Sequence, residues 1–345
     1  MQRISGKAMG QGQKVYIIAE AGVNHNGDVQ QALRLVDLAK ACGADAVKFQ
    51  TFKAAKVATA CAQKASYQLK TQARGGNQLE MLKRLELDEK AHQRIIARCR
   101  QKKIGFLSTP FDEDSVDLLL KLGMKTFKVP SGEITNVPYL RKVASVAPRV
   151  ILSTGMSTLQ EIVFAVDVMV KAGLKKGHLT VLHCNTEYPT PWEDVNLRAM
   201  ETIKERLNVR VGYSDHTTGI LAALAAAALG AVIIEKHLTA DRSQKGPDHQ
   251  ASLEPDEFKA MCEGIRGIEK MLGAGIKLPS PSEKKNMVIA RRSIVAQRDI
   301  KRGELFTAEN LTAKRPANGM SPIFWDRVIG RRAKRDFVMD EGIVL

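Results

Sequence analysis

The feature that most constrains this chain is an alternation repeated eight times. A short, β-branched run ends in polar residues, and a helical stretch follows. The runs predict strands at 15–19, 45–49, 104–107, 125–129, 150–152, 179–182, 209–213 and 232–234. Helices are expected near 29–42, 88–102, from 112 onward and over 255–272, with a buried, Ala-rich helix opening at Ile220. The strands read as nearly continuous apolar runs, as in a parallel sheet covered on both faces. Eight strand–helix units within 15–272 suit a (β/α)8 TIM barrel, which takes about 250 residues. An open doubly wound sheet is the alternative. It favours a Gly-rich phosphate loop after the first strand, and Ala21-Gly22-Val23-Asn24-His25 is no GxGxxG. A long insertion, 53–80, follows the second strand.

The 345 residues exceed one barrel. Residues 1–14 are a polar extension without the apolar core of a secretory signal. Gly273-Ala274-Gly275 and Pro279-Ser280-Pro281 mark a linker over 273–283. The remainder, 284–345, reads as a small β-rich module that needs the barrel or a partner chain for stability. It has 14 Lys+Arg against 7 Asp+Glu, a net +7 of the chain's +16. Such a charge suits nucleic acid, an anionic membrane or a phosphorylated substrate. Aromatic residues make up only 5%, which leaves few stacking platforms for nucleic acid. The longest apolar run, 220–234, is broken by Gly230 and is short for a membrane span. Five cysteines without a CxxC fit a reducing cytoplasm.

Barrel active sites lie at the C-terminal ends of the strands. Polar residues gather there: Glu20, Lys48, Gln50, Thr109, Lys128, Ser131, Glu133, Ser153, His183, Ser214, His216, Glu235 and His237. His216 and His237 end neighbouring strands, which lie about 4.8 Å apart, so they can converge on one ion. Alternation puts Ser214 with His216, and Glu235 with His237, on one side of their strands. Two imidazoles, with or without a carboxylate, and open water positions suit Mn²⁺, Fe²⁺, Co²⁺ or Zn²⁺ better than Ca²⁺. Two unrelated, hydrogen-bonded histidines are the plain alternative. Lys48, Lys128, Ser131, Ser153 and Ser214 suit a phosphate or carboxylate. A strand-end lysine also suits a Schiff base, as in a class I barrel aldolase. Glu20, Glu133 and Asp248 are the acid/base candidates, although Gly246-Pro247-Asp248 also reads as an ordinary turn.

Together these segments resemble a known family. Ile18-Ala19-Glu20-Ala21-Gly22-Val23-Asn24-His25-Asn26-Gly27, Lys48-Phe49-Gln50-Thr51-Phe52 and Ser108-Thr109-Pro110-Phe111 are similar to the sialic acid synthases. So are Pro130-Ser131-Gly132-Glu133, Leu152-Ser153-Thr154-Gly155-Met156, the run from His183 to Pro191, Ser214-Asp215-His216 and Glu235-Lys236-His237. Lys314-Arg315-Pro316 and Asn318-Gly319 extend the match into the tail. The resemblance implies a TIM barrel joined to an antifreeze-protein-like SAF domain. It implies a phosphoenolpyruvate-dependent transferase that condenses phosphoenolpyruvate with an N-acetylated mannosamine-type sugar. The product would be N-acetylneuraminate or N,N'-diacetyllegionaminate, with pseudaminate a third choice. By resemblance His216 and His237 hold a divalent metal, usually Mn²⁺, with Mg²⁺ or Co²⁺ as alternatives. Glu20, Glu133, His216 and His237 would be catalytic. Lys48, Lys128, Ser131, Ser153 and Ser214 would hold phosphoenolpyruvate. Gln50, Thr109, Tyr188, Asp248 and Arg315 would line the sugar site, Arg315 from the SAF domain of a homodimer partner. Family members often have Gly where this chain has Ala317, so a left-handed backbone there would be strained.

Overall fold

The computed structural model describes residues 14–64 and 77–345. The expected extension 1–14, apart from Lys14, and residues 65–76 of the insertion lie outside the described residues. The chain divides into two compact units, Met1–Ala274 and Gly275–Leu345.

Among the described residues, the first unit holds eight strands: β1 (Tyr16–Gly22), β2 (Ala46–Thr51), β3 (Gly105–Pro110), β4 (Thr126–Val129), β5 (Arg149–Ser153), β6 (Leu179–Cys184), β7 (Arg210–Asp215) and β8 (Ile233–His237). All are parallel, hydrogen-bonded in the order β3-β2-β1-β8-β7-β6-β5-β4. The two ends of that order, β3 and β4, pack side by side and close the ring. This is the expected barrel, not the open sheet.

Helix starts follow from local chemistry. Asp28 opens α1 (Val29–Ala41) by accepting from the Gln30 amide at 2.7 Å. In the insertion, α2 (Ala54–Val57) and α3 (Gln78–Lys83) follow. Asp88 caps α4 (Glu89–Lys102), and Asp112 caps α5 (Glu113–Lys121). These carboxylates satisfy amides that the first turn leaves without partners. Four helices continue the outer layer: α6 (Val137–Val146), α7 (Leu159–Lys171), α8 (Ala199–Leu207) and α9 (Leu221–Ala228). The closing helix of the first unit is α10 (Pro255–Met271).

Inside the ring, Ile18, Ala46, Leu107, Ile151, Leu182 and Ile233 form an apolar floor. Gly212 belongs to this layer by necessity. A Cβ there would meet the Ile233 carbonyl oxygen at 2.5 Å and Leu182 Cδ2 at 2.7 Å. Two residues further along the strands, alternation brings Glu20, Lys48, Thr109, Ser153, Ser214 and Glu235 to the same inner face. The floor excludes water from below, so a buried polar layer rests on an apolar base.

Every strand but β4 runs one to three residues beyond its apolar run. The run stops where side chains become polar. The ladder continues, because backbone amides still pair there. Among the described residues, no helix is long and apolar enough to cross a membrane.

The second unit begins with α11 (Pro281–Ala290), where the linker was expected to run to 283. Ser280 and Glu283 form a capping box, and Pro281 fits the first helical turn. Its sheet pairs β9 (Ser293–Ala296) antiparallel with β10 (Leu311–Lys314). Ile294, Ile300, Phe306, Leu311, Val328 and Phe337 form its core. Five of its cations are paired: Lys277 with Glu283, Arg298 with Glu304, Lys301 with Asp336, Lys314 with Asp340 and Arg335 with Glu341. Ala317 is not among the residues with a left-handed backbone, so the anticipated strain does not arise. Its amide donates to the Val288 carbonyl at 2.8 Å.

Candidate active site

A cavity of about 540 Å³ opens above the polar layer. Twelve expected site residues line it: Glu20, Lys48, Gln50, Thr109, Lys128, Ser131, Ser153, Tyr188, Ser214, His216, His237 and Asp248. The remaining two are Glu133 and Arg315. Glu133 follows β4 on a short 3-10 turn, and its carboxylate accepts from Asn136 Nδ2 at 2.6 Å rather than lining the cavity. Arg315 follows β10 in the second unit. His183 lies between two inward-facing residues of β6, so it points outward and donates to the Val195 carbonyl at 2.7 Å.

The centre of the cavity floor is a buried charge cluster. Lys48 Nζ lies 2.6 Å from Glu20 Oε2 and 3.6 Å from Glu235 Oε2. It also donates to Thr109 Oγ1 at 2.9 Å. Lys128 Nζ lies 3.3 Å from Glu235 Oε1. That same oxygen accepts from Ser214 Oγ at 2.9 Å. Glu235 therefore bridges both lysines. The expected site set omitted it, although it lies two residues before His237 on the same face. The signal that finds it is the need of two buried ammoniums for a shared counter-charge.

Burial raises the Glu20 carboxyl, only partly offset by Lys48. Burial acts upward on Glu235 as well, but Lys128 and Lys48 outweigh it and hold that carboxyl low. Lys128 is lowered by burial despite Glu235. Lys48 is raised, because Glu20 and Glu235 outweigh its burial. The cluster thus holds one anionic carboxylate between two cations and a second carboxyl that gives up its proton reluctantly.

Beside it stand the two histidines, their ring centroids 5.6 Å apart. His216 donates through Nδ1 to the Asn185 carbonyl. That leaves Nε2 as a lone pair, near Tyr188 Oη at 3.2 Å and Ser214 Oγ at 3.4 Å. Burial lowers His216 to about 4 and takes His237 well below its ordinary value. Both rings are therefore neutral near pH 7, the form that binds a metal. His237 Nδ1 is buried with no hydrogen-bond partner among the described residues, 4.0 Å from Asp248 Oδ2. Burial raises Asp248 to about 6. Among the described residues, no three His, Cys, Asp or Glu side chains gather as a metal-binding set. The donors fit an ion that takes two imidazoles from the protein and keeps its remaining positions for oxygen ligands.

Gly22 shapes the rim. Its φ is +51°, and a Cβ there would lie 3.3 Å from both Asp248 Oδ2 and Glu20 Oε1. Outside the ring wall, Lys236 and Asp215 form a fully buried pair at 2.9 Å. Each is the sequence neighbour of a cavity histidine, so this pair pins the β7–β8 seam from behind.

The sequence matches the NeuB family over residues 35–277 and the SAF domain over 291–345. It is 54% identical to the N,N'-diacetyllegionaminic acid synthase of Campylobacter jejuni, covering 96% of this chain and 99% of that protein. A second N,N'-diacetyllegionaminic acid synthase, from Legionella pneumophila, is 46% identical over 96% of this chain and 94% of its own length. Among solved structures, the N-acetylneuraminic acid (sialic acid) synthetase of Leptospira borgpetersenii superposes with a TM-score of 0.69 at 35% identity. It covers 79% of this chain and 90% of its own.

Proposed function

The chain belongs to the NeuB family, and on that premise we propose that it condenses phosphoenolpyruvate with an N-acetylated mannosamine-type sugar and water, releasing phosphate. We take the sugar to be 2,4-diacetamido-2,4,6-trideoxymannose and the product N,N'-diacetyllegionaminate, in keeping with the two legionaminate synthase relatives. The observation that carries this reading is the buried cluster of Lys48, Lys128, Glu20 and Glu235 beside two neutral histidines.

Lys48 and Lys128, with the hydroxyls of Ser131, Ser153 and Ser214, hold the phosphate and carboxylate of phosphoenolpyruvate. Ser131 Oγ already accepts from the Gly155 amide at 2.9 Å, which fixes its position. The enol carbon attacks the sugar aldehyde. Positive charge develops at the phosphate-bearing carbon, water adds there, and phosphate leaves with cleavage of the C–O bond. Glu20, with its raised affinity for a proton, takes one proton of the attacking water and passes it to the alkoxide left by the aldehyde, and the second water proton leaves with the phosphate as the keto group forms. The lysines balance anionic charge and form no imine.

His216 and His237 would hold a divalent ion, with Mn²⁺ the first choice, which supplies Lewis-acid polarisation of the aldehyde when bound. Gln50, Thr109, Tyr188 and Asp248 orient the sugar. We further propose a cytoplasmic homodimer in which Arg315 reaches the sugar in the partner's barrel. Glu133, whose carboxylate is held by Asn136, is assigned no step.

The test is phosphate release from phosphoenolpyruvate with each candidate sugar, before and after EDTA and with Mn²⁺ restored. We expect EDTA to abolish turnover and Mn²⁺ to restore it. Full activity in EDTA, with a borohydride-trapped substrate adduct, would establish the aldolase alternative.

A further inference from the structure

The cavity has two unlike halves. The polar half is the strand-end floor, Glu20 of β1 and Lys48 of β2 included. The apolar half lies beyond the ends of β2 and β3, faced by Phe52, Val57, Met81, Leu82, Leu85 and Phe111. Phe52, Met81 and Leu85 are buried, and the Phe52 and Phe111 rings meet edge to face at 6.2 Å. This wall is firmly anchored. Ala54 N donates to Glu86 Oε1 at 2.7 Å, and Lys53 N donates to Asp112 Oδ2 at 2.8 Å. At Gly27 a Cβ would meet the Arg84 carbonyl oxygen at 2.4 Å, so the β1 loop is pressed against the segment after α3.

We infer that this wall selects the sugar by its far end, receiving a C6 methyl group where a hydroxymethyl or phosphorylated carbon is refused. The inference rests on the proposed reaction and names what that reaction's second substrate must look like. The aldehyde end of the sugar must lie by the histidines and the lysine cluster, so its C4–C6 end projects toward the opposite half. A hydroxyl set against Met81, Leu82 and Leu85 loses its water without gaining a partner from them. Gln78 is the polar side chain that α3 brings to this face, and it can serve an acetamido group. Lys48 and Lys128 are the only cations among the described lining residues, and both are in the other half. A 6-phosphate would therefore meet no counter-charge from the described residues of the wall.

The experiment measures kcat/KM for phosphate release with three sugars. They are 2,4-diacetamido-2,4,6-trideoxymannose, the same sugar carrying a 6-hydroxyl, and N-acetylmannosamine 6-phosphate. We expect the wild type to prefer the methyl over the 6-hydroxyl by roughly 10–100-fold, the range that an apolar pocket supplies. The phosphorylated sugar should be the poorest. Leu82→Gln should shrink the methyl preference to within about fivefold, acting through the sugar KM and leaving the phosphoenolpyruvate KM within about twofold. Val57→Asn, at an exposed position that does not threaten folding, should move the ratio in the same direction. Equal kcat/KM for the first two sugars, or a ratio that neither variant changes, overturns the wall while leaving the reaction standing. Absence of phosphate release with every sugar overturns the reaction, and the wall with it.

Discussion

Glu235→Gln is the most informative single change, because it removes one charge from a cluster whose geometry fixes the consequence. Glu235 lies 3.3 Å from Lys128 Nζ and 3.6 Å from Lys48 Nζ, and all three side chains are at most 6% exposed. At an effective dielectric of about 20, each contact attracts by roughly 5 kcal/mol before desolvation is counted. The amide keeps the shape and can still accept from Ser214. Lys48 retains Glu20, but Lys128 loses the carboxylate it faces. Leaving a buried charge without its partner costs about 3–5 kcal/mol. For a domain of this size that lowers Tm by roughly 6–20 °C. The same change leaves the cavity more positive, so inorganic phosphate should bind more tightly to the variant. Saturating phosphate should then recover more Tm in the variant than in the wild type, about 2.7 kcal/mol at 100 times its Kd. Thermal melts across a phosphate titration read both effects. A variant melting within about 1 °C of wild type, with an unchanged phosphate response, would refute Glu235 as the shared counter-charge.

Arg315→Ala should raise the KM for the sugar at least about tenfold, the scale of one lost charge-assisted bond, and leave that for phosphoenolpyruvate nearly unchanged. Full steady-state kinetics check this, and equal loss for both substrates would count against a sugar contact. Acid should destabilise the fold. Burial holds His25 and His216 at about 4 and His237 well below its ordinary value, so below pH 6.5 the unfolded chain takes up protons that the folded chain refuses. Stability is then lost as pH falls from about 6.5 toward 4. Asp248, raised to about 6, and Glu20 work the other way, because the folded chain protonates them first. Histidines lowered by burial, His92, His183 and His249 among them, outnumber these two carboxyls, so the net effect of acid is a loss of stability. Urea titrations at pH 7.5 and 4.5 measure it, and equal midpoints would contradict the assignment.

The barrel was legible because its signal is repetition. Eight apolar runs that each end in polar residues cannot be buried in many ways, and a parallel ring satisfies all of them. The strand limits were not legible, because the cue ended where the chemistry began. Ser153, Cys184, Ser214, Asp215, Glu235 and His237 lie inside strands, beyond the apolar runs that announced them. An extended backbone needs its ladder whatever its side chains do, so the polar layer rests on strand and not on loop. That placement gives the cluster its fixed distances.

Single-residue readings fail where a residue's role depends on its neighbours across the ring. Glu235 looked like one more polar strand end; only the approach of Lys48 from β2 and Lys128 from β4 makes it the hub. Glu133 shows the reverse. Its motif placed it beside Ser131, but the 3-10 turn carries its carboxylate to Asn136. The apolar wall is a stronger case still. Met81 and Leu85 sit in a segment whose sequence announces nothing, and they acquire meaning from Phe52 and Phe111 at the ends of two other strands. The charged half of the cavity has its counterpart in motifs because charge chemistry demands particular residue types. The apolar half demands only shape and the absence of partners. That half is where substrates sharing the same reacting carbons must be told apart, so specificity here is the least legible part of the sequence.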